Sequence, residues 1–430
     1  MPSALRSSIS LAPVAANLVL ARNRERRPAA ALHELQSRQL RTLVRHAFEH
    51  VPYYRRVLTP DQVDGVRSAA DLAALPVLDR RLVHELPETD LLADGFTAAN
   101  TRAARTSGSS GIPVTFRNSE RDLGYLRATY LQDMLASGLR LTDRIGYFRT
   151  AAFLRHPLER LGIVRNLHID TSRGLDQQVE TFLAARPTFL FGFPNVIATL
   201  VEELQRRGVE YPHVHTVVFG GERLTPAARA NVLGYFGAQG HEVYASVEMF
   251  TAARTCPRGS LHLRTGNVVL EVEHDDGSVS VEDGEGEVLV TRLRSEAMPL
   301  IRYRLGDRVT IRPNDCPCGV AHTPIVSAVQ GRSEDRLVGP DGRSLHADFL
   351  TKVVERFPAV HRMQLLQRRP GTLDVHVVLT GVVPGDLTSR IQAAVAGALP
   401  AYTVEVRPVD HIVPEANGKI KLVKAVPAAG

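Results

Sequence analysis

Cysteine and lysine are both scarce in this sequence. Three cysteines among 430 residues are too few for a disulfide framework, and this count favours a reducing compartment. Four residues are lysine and the other 48 of the 52 basic residues are arginine. Arginine therefore serves wherever positive charge alone is enough. Lys419, Lys421 and Lys424 lie together near the end of the chain, which suggests that ammonium geometry matters there.

Long hydrophobic runs and clustered basic tracts are also lacking. The apolar run at residues 11–21 is broken by Pro13, is too short to span a bilayer and has no clear cleavage site. The net charge is +6, but the basic residues are spread along the chain without interleaved aromatic residues. We therefore expect a cytoplasmic protein that binds neither a membrane nor nucleic acid.

The order of sequence patterns predicts an α/β protein. At 430 residues the chain exceeds the usual size of one core, so we expect at least two domains. Apolar spacing predicts an opening helix within residues 29–58 that Pro52 ends. Helical stretches alternate with short apolar runs from about 118 to 240, which indicates a doubly wound α/β core. Residues 260–312 contain short strands joined by Asp-Gly and Gly-Glu-Gly turns.

The pattern restarts after residues 331–342, which we interpret as a joint between domains. Beyond it the spacing predicts the following elements: a helix at 346–357, strands near 362–368 and 373–380, a helix at 387–399 and a strand near 402–409. We therefore expect a large domain at 1–331, with a β subdomain at about 260–325, and a small C-terminal α/β domain at 332–430.

A loop of small residues, "TSGSSG", is the first candidate binding site. It comprises Thr106, Ser107, Gly108, Ser109, Ser110 and Gly111. Glycine lets backbone N–H groups converge on an anion and the hydroxyls add donors, so the loop suits phosphates. It matches neither the GxxxxGK[ST] loop nor the GxSxG elbow. Taken alone, such a loop is more often a plain surface turn, so other segments have to decide.

Further motifs follow in a fixed order along the chain. They are "FGGERLTP" (219–226), "VYASVE" (243–248), "MPLIRYRLGD" (298–307), "GRSED" (331–335) and "ANGKIK" (416–421). With "LPVLDRR" and "TSGSSGIPV" before them, the sequence resembles the adenylate-forming enzymes, specifically the phenylacetate-CoA ligase family and its capsule-biosynthesis-like branch. The resemblance implies a large ATP- and acid-binding domain with a mobile C-terminal lid. It also implies ATP-dependent adenylation of a small, preferably aromatic, acid and transfer to a thiol of CoA or a carrier protein.

The resemblance assigns a chemical task to each motif. The loop 106–111 would hold the β- and γ-phosphates, and Glu248 would bind Mg²⁺ through its hard carboxylate oxygens. Lys419 would reach the α-phosphate as negative charge builds up. A surface carboxylate and a solvated C-terminal tail are the plain alternatives for these last two residues.

Nucleotide-binding roles also follow from the resemblance. Those residues are Tyr244 on the adenine, Gly220, Gly221 and Glu222 in the wall beside it, Asp307 on both ribose hydroxyls, Arg332 near the ribose, and Glu334 as the hinge acid. A carboxylate suits two hydroxyls because it offers two acceptor oxygens. Taken alone, a tyrosine at a strand end is more often a core residue.

All three cysteines lie near two turns that flank the β subdomain. Cys316 and Cys318 form a C-x-C, and Cys256 precedes His262 by six residues. Three thiolates and one imidazole would complete a closed, tetrahedral structural zinc site without the open position that catalysis needs. Buried or idle thiols are the alternative, because C-x-C is tighter than the common C-x₂-C spacing. The "HAFEH" at 46–50 lacks the HExxH order and predicts an exposed helix face.

Several positions depart from the family pattern and leave the acceptor open. Val247 replaces a hydroxyl residue, Ala245 a glycine and Leu305 a threonine, while "LVGPDGRSLHADF" is closer to the capsule-biosynthesis-like branch. CoA is one acceptor; an amine acceptor, or another oxyanion as the substrate, is the alternative. A nonenzymatic nucleotide-binding protein is a further alternative, and a homodimer is left open.

Overall fold

A computed structural model gives the fold of most of the chain. It describes residues 14, 17–18, 27–106, 114–149, 157–222, 225–320, 323–332, 336–380, 383–413, 415 and 420–425. Among the helices in these ranges, none combines the length and apolar character needed to cross a membrane.

One long helix and several short ones occupy the N-terminal segment, and further helices alternate with strands after it. The helices are α1 (Ala29–His50), α2 (Pro52–Val57), α3 (Pro60–Gly65), α4 (Arg80–Glu85), α5 (Glu88–Leu91), α6 (Glu120–Ala136), α7 (Leu175–Ala185), α8 (Pro194–Arg206), α9 (Pro226–Phe236), α10 (Asp348–Val354) and α11 (Leu387–Ala398), with 3₁₀ turns at Ala69–Ala74 and Pro157–Leu161. α1 ends at His50, with Val51 as its C-cap, and Pro52 opens α2, as the proline predicts.

Strands occur throughout the rest of the chain. They are β1 (Arg102–Arg105), β2 (Thr115–Asn118), β3 (Arg144–Arg149), β4 (Arg165–Asp170), β5 (Phe189–Gly192), β6 (Thr216–Gly220), β7 (Gln239–Ser246), β8 (Phe250–Thr255), β9 (Leu261–Leu263), β10 (Val268–Glu273), β11 (Val279–Ser280), β12 (Gly284–Arg292), β13 (Tyr303–Arg312), β14 (Ile325–Arg332), β15 (Arg336–Val338), β16 (Ser344–His346), β17 (Val360–Gln367), β18 (Thr372–Leu379), β19 (Thr403–Pro408) and β20 (Val423–Ala425). The mixture of helices and sheets confirms the predicted α/β class.

The chain divides into two compact units. The first comprises Met1–Thr142, Leu154–Val164 and His241–Gln330, and the second Asp143–Phe153, Arg165–Gly240 and Gly331–Gly430. In the first unit the sheet strands are neighbours in the order β11, β10, β12, β13, β14, β9, β8, β7. The pairs β10–β12, β12–β13, β8–β9 and β7–β8 are antiparallel. β1 and β2 form a separate antiparallel hairpin.

The second unit contains a parallel sheet and the C-terminal module. β6, β5, β3 and β4 are neighbours in that order, and the pairs β5–β6, β3–β5 and β3–β4 are parallel. Parallel strands with helices between them are the expected result of alternating patterns. α9 begins at an N-cap, Thr225, followed by Pro226, and ends at Gly237, which has a positive φ of 64°.

The C-terminal module has its own sheet and hydrophobic core. Its strands lie in the order β19, β18, β17, β20, and α10 and α11 complete it. Buried residues from Leu337 to Val423 form one cluster. These elements confirm the predicted helix and strand pattern, except that β16 occupies the first residue of the helix predicted at 346–357. The β15–β16 hairpin was not predicted as a strand pair, although its Pro-Asp-Gly turn was recognised.

Polar contacts attach this module to the parallel sheet within the second unit. Arg362 Nη1 donates to Thr199 Oγ1 at 2.7 Å, and Arg362 Nη2 is ion-paired with Glu202. Thr225 Oγ1 donates to the carbonyl of His361 at 2.7 Å. Burial lowers the pKa of Arg362 to about 10, which leaves it charged at neutral pH. α8 and the start of α9 therefore hold the beginning of β17.

A buried ion pair joins the N-terminal segment to the sheet of the first unit. Arg302 Nε contacts both carboxylate oxygens of Glu271 at 3.0 and 3.1 Å, and Arg302 Nη1 donates to the carbonyls of Ala73 and Leu75. The Arg302 and Glu271 side chains are 6% and 1% exposed. Removing one partner of such a pair leaves a buried charge without compensation.

Glu271→Gln is expected to destabilise the first unit by about 3 kcal/mol, because a neutral amide cannot compensate the buried guanidinium of Arg302. Urea unfolding followed by circular dichroism measures the loss, since the sequence lacks tryptophan for fluorescence. Glu285→Gln is the matched control, because Glu285 is exposed on β12 and its change should stay within about 0.5 kcal/mol. Equal stability of the two variants would show that the pair contributes nothing.

Candidate functional site

Glu248 is a buried carboxylate at the turn between β7 and β8. Residues 247–249 form this turn, and Met249 N donates to Ser246 Oγ at 3.3 Å. The Glu248 side chain is 3% exposed, and Arg80 Nη2 lies 3.5 Å from its Oε1. A carboxylate removed from water needs a cation or strong donors nearby. The turn therefore presents a hard anionic oxygen that a guanidinium already neutralises.

Arg80 is a site residue that the sequence motifs did not single out. It is the first residue of α4, whose N-cap, Asp79, accepts a hydrogen bond from Leu82 N at 2.7 Å. The pairing with Glu248 joins residues 168 positions apart. "LPVLDRR" contributed to the resemblance, but an arginine at a helix start carries no signal of its own, so sequence reasoning missed it.

Tyr244 and Asp307, two residues assigned to the nucleotide, lie side by side. Tyr244 on β7 donates its hydroxyl to Asp307 Oδ2 on β13 at 2.9 Å. Both are buried, with 7% of each residue exposed. One carboxylate oxygen thus has a tyrosine donor that orients it. A carboxylate fixed in this way is suited to accept hydrogen bonds from a diol.

The base of the small-residue loop is closed by Thr106 and Val114. Thr106 N donates to the carbonyl of Val114, and Val114 N donates to Thr106 Oγ1, both at 3.0 Å. The Thr106 hydroxyl therefore joins the ends of β1 and β2. Ser107, Gly108, Ser109, Ser110 and Gly111 lie outside the described residues.

In the second unit, the predicted adenine wall follows β6. Gly220 ends β6, and Gly221 has a positive φ of 81° that favours glycine. Glu222 Oε2 accepts from Asn195 Nδ2 at 3.2 Å, and its Oε1 accepts from the backbone N–H of Ile420 at 3.0 Å. Glu222 thus contacts the residue that directly follows Lys419.

Three predicted residues remain without a structural account. Lys419 and Glu334 lie outside the described residues. Arg332 is the last residue of β14, and its side chain is outside the described part of the chain. Their roles remain predictions from the resemblance.

The four predicted zinc ligands come together in the first unit. Their ligand atoms, from Cys256, His262, Cys316 and Cys318, all lie within 4.8 Å of one another. Cys256 and His262 are buried, and the other two are partly buried. Burial lowers the pKa of the His262 imidazole below its usual value.

The departures from the family pattern place apolar side chains in the core. Leu305 on β13 is 2% exposed, and Val247 packs against the same hydrophobic cluster. Hydrocarbon replaces a hydroxyl at both positions. These two positions therefore offer no hydroxyl donor beside Glu248 and Asp307.

The described part of the first unit fits a Mg·nucleotide chemically. Mg²⁺ is held in proteins by one or two carboxylates together with substrate phosphates, and the buried Glu248 offers one. Asp307 offers a carboxylate that Tyr244 orients, and Thr106 joins the end of β1 to the start of β2. This set can bind a polyphosphate nucleotide and stabilise charge that develops on it.

Comparisons with known proteins agree with this chemistry. No protein-family model matches the chain. The phenylacetate-coenzyme A ligase of Thermus thermophilus is 29% identical over 367 residues, which cover 81% of this chain and 80% of that protein. The enzyme of the same name from Aromatoleum evansii is 26% identical and covers 82% of each chain. Protein CapK of Staphylococcus aureus is 21% identical, covering 71% of this chain and 69% of its own.

A solved structure establishes the fold. 2-Hydroxyisobutyryl-CoA ligase in its postadenylation state superposes with a TM-score of 0.78 at 18% sequence identity, covering 94% of this chain and 92% of the ligase. The likeness in fold spans nearly the whole chain, as the ordered motifs predict. The chain is thus similar in sequence to phenylacetate-coenzyme A ligases and to protein CapK, and similar in fold to a CoA ligase.

Proposed function

We propose that this protein is an ATP-dependent ligase that adenylates a small carboxylic acid and transfers the acyl group to the thiol of CoA. The observation that carries the proposal is its relation to phenylacetate-coenzyme A ligases over about four-fifths of both chains. The buried Glu248 and the Tyr244–Asp307 pair provide the matching chemistry in the described structure.

In the first half-reaction, an acid oxygen attacks the α-phosphorus of ATP and pyrophosphate leaves. Glu248 would hold Mg²⁺, which neutralises phosphate charge when it is bound. Arg80 neutralises Glu248 in the structure described here, and a bound cation would release its guanidinium to contact phosphate oxygens. The loop 106–111 would supply backbone N–H groups to the departing pyrophosphate.

The nucleoside is recognised by a separate group of residues. Asp307 would accept hydrogen bonds from the ribose hydroxyls, with Tyr244 orienting its carboxylate. Gly221 would let the backbone approach the adenine closely. Lys419 would place its ammonium on the α-phosphate, where charge builds up in the transition state. Its neighbour Ile420 is already bonded to Glu222, which supports this assignment.

In the second half-reaction, a thiolate attacks the acyl carbon and AMP leaves. Two relatives carry the name phenylacetate-coenzyme A ligase, so we propose an aromatic acid and CoA as the substrates. A carrier-protein thiol is the alternative thiol acceptor.

The experiment that tests this function is pyrophosphate exchange into ATP with a panel of acids. We expect exchange with an aryl or arylacetic acid, and CoA should then yield a thioester and AMP. Exchange followed by product formation with an amine, but not with CoA, would move the assignment to the amine acceptor. Absence of ATP binding and of exchange with every acid would contradict the ligase proposal.

Glu248→Gln is expected to reduce pyrophosphate exchange on the order of 100-fold, about 2.7 kcal/mol, because the amide is a poor Mg²⁺ ligand. A magnesium titration of the exchange rate should shift to higher concentration. Glu242→Gln is the matched control, since Glu242 is an exposed residue of β7, the strand that leads into the turn of Glu248. An unchanged magnesium titration in Glu248→Gln would remove Glu248 from the metal site.

Asp307→Asn is expected to raise the KM for ATP by about 10- to 100-fold, since a hydrogen bond to a charged group contributes about 1.5–3 kcal/mol. The variant should also discriminate less between ATP and 2′-deoxy-ATP than the parent does. Tyr244→Phe should produce a smaller effect in the same direction, because it removes only the orienting hydroxyl.

Asp276→Asn, in the exposed turn between β10 and β11, controls for the general effect of losing a carboxylate. Full discrimination against 2′-deoxy-ATP in Asp307→Asn would place the ribose elsewhere.

Glu202→Gln is expected to weaken the attachment of the C-terminal module and to slow pyrophosphate exchange by about tenfold. The reason is that the buried Arg362 loses its carboxylate partner. Glu180→Gln, an exposed change on α7, should leave exchange unchanged. Single-turnover thioester formation from supplied acyl-adenylate separates the two half-reactions. Equal slowing of both steps would indicate a general structural defect instead.

A further inference from the structure

The cysteine and histidine cluster lies outside the nucleotide-binding residues and is not used by the proposed reaction. We propose that Cys256, His262, Cys316 and Cys318 bind one Zn²⁺ in a closed structural site. This inference does not rest on the proposed function, because its evidence is the geometry of the cluster.

Two distances between ligand atoms are close to the edges of a tetrahedral zinc site, and all four atoms lie within 4.8 Å of one another. Zn–S bonds of about 2.3 Å and a Zn–N bond of about 2.0–2.1 Å imply S···S edges of about 3.8 Å and S···N edges of about 3.6 Å. Cys256 Sγ lies 3.7 Å from Cys316 Sγ, and Cys318 Sγ lies 3.3 Å from His262 Nε2. A disulfide needs an S–S distance of about 2.05 Å, so the described arrangement fits a shared metal better than a covalent bond.

Two of the thiols already accept backbone hydrogen bonds of the same kind. Arg258 N donates to Cys256 Sγ at 3.3 Å, and Val320 N donates to Cys318 Sγ at 3.4 Å. In both turns the donor lies two residues after the cysteine. A glycine of positive φ is adjacent to each donor: Gly259 follows Arg258, and Gly319 precedes Val320. Such donors stabilise thiolate, the form of cysteine that binds metal.

The histidine is oriented by a neighbour outside the cluster. His262 Nδ1 lies 3.5 Å from Thr323 Oγ1, while its Nε2 faces Cys318. A metal-ligating histidine usually donates its second ring N–H to an oxygen in this way. Thr323 is therefore a positioning residue for the imidazole.

The charge of the site and its surroundings are also compatible with zinc. Three thiolates and one Zn²⁺ carry a net charge of −1, and Arg254 and Arg312 supply positive potential at His262. Sulfur-rich tetrahedral ligand sets select zinc or iron. Four protein ligands leave no position for water, so the site is structural.

The metal would tie together segments that hydrogen bonds join only in part. Cys256 follows β8, His262 lies on β9, and the C-x-C lies in the connection from β13 to β14. Backbone pairing joins His262 on β9 to Ile325 on β14. The C-x-C lies outside these strands, in the connection between β13 and β14. Zinc would thus fix the far end of β8, the strand that starts two residues after Glu248.

Metal analysis of the purified wild-type protein tests the proposal directly. The protein is produced in medium that contains zinc and is kept under reducing conditions. We expect one zinc per chain, released into a chromogenic chelator when a mercurial titrates the three thiols. Cys318→Ser and His262→Ala should lose zinc, whereas His33→Asn, an exposed histidine on α1, should retain it. Thr323→Val should weaken zinc binding by about tenfold.

Ligand variants that do not fold cannot be tested for zinc binding. Cobalt substitution of the wild-type protein therefore provides a second test of the ligand set. Wild-type protein produced with Co²⁺ should show the absorption of a tetrahedral thiolate complex, and added Zn²⁺ should abolish it. The reduced wild-type protein is also incubated with Zn²⁺ and then analysed for metal and for free thiols. Protein that contains no zinc and still has three titratable thiols would overturn the proposal. Zinc content unchanged in folded Cys318→Ser would overturn the ligand assignment.

Discussion

The guanidinium of Arg302 sets the position of much of the first unit. Arg302 has a positive φ of 50°, which is strained for a side chain of this size, and its buried contacts compensate for that strain. Leu78 N donates to the Arg302 carbonyl at 3.1 Å, and Arg304 N donates to the Leu78 carbonyl at 2.8 Å. The N-terminal segment is thereby fixed along the start of β13. Arg80 follows Leu78 by two residues, and Asp307 lies further along β13, so one buried cation determines the position of both.

The preference for arginine has a structural reason in this protein. A guanidinium forms several directed hydrogen bonds and stays charged when it is buried. Arg302 and Arg362 use that property, each binding a carboxylate and further oxygen acceptors. A lysine ammonium cannot reproduce such planar contacts. A compact ammonium suits the role proposed for Lys419, which is to reach a phosphate group.

The sequence predicted the features that are local or tied to a motif. The C-terminal module followed from periodicity, because each helix and strand carries its own pattern of buried residues. The sequence also grouped the three cysteines with His262, and Tyr244 with Asp307, and the structure places each group together; their roles stay predictions. Arg80 was missed, because its pairing with Glu248 bridges 168 positions and has no local signal. The β15–β16 hairpin was missed because short strands around a Pro-Asp-Gly turn resemble a linker.

The C-terminal module contacts the rest of the second unit through polar groups. Its hydrophobic core is separate from the core around the parallel sheet, and the contacts between them include ion-pair and hydrogen-bond contacts of Arg362, Thr225 and Ile420. Such contacts exchange for water at a small net free-energy cost, about 0.5–1.5 kcal/mol for each neutral hydrogen bond. A merged apolar core would resist separation far more strongly. Thr225 also caps α9 through a hydrogen bond from Ala228 N, so this cap does not depend on the contact between Thr225 and His361.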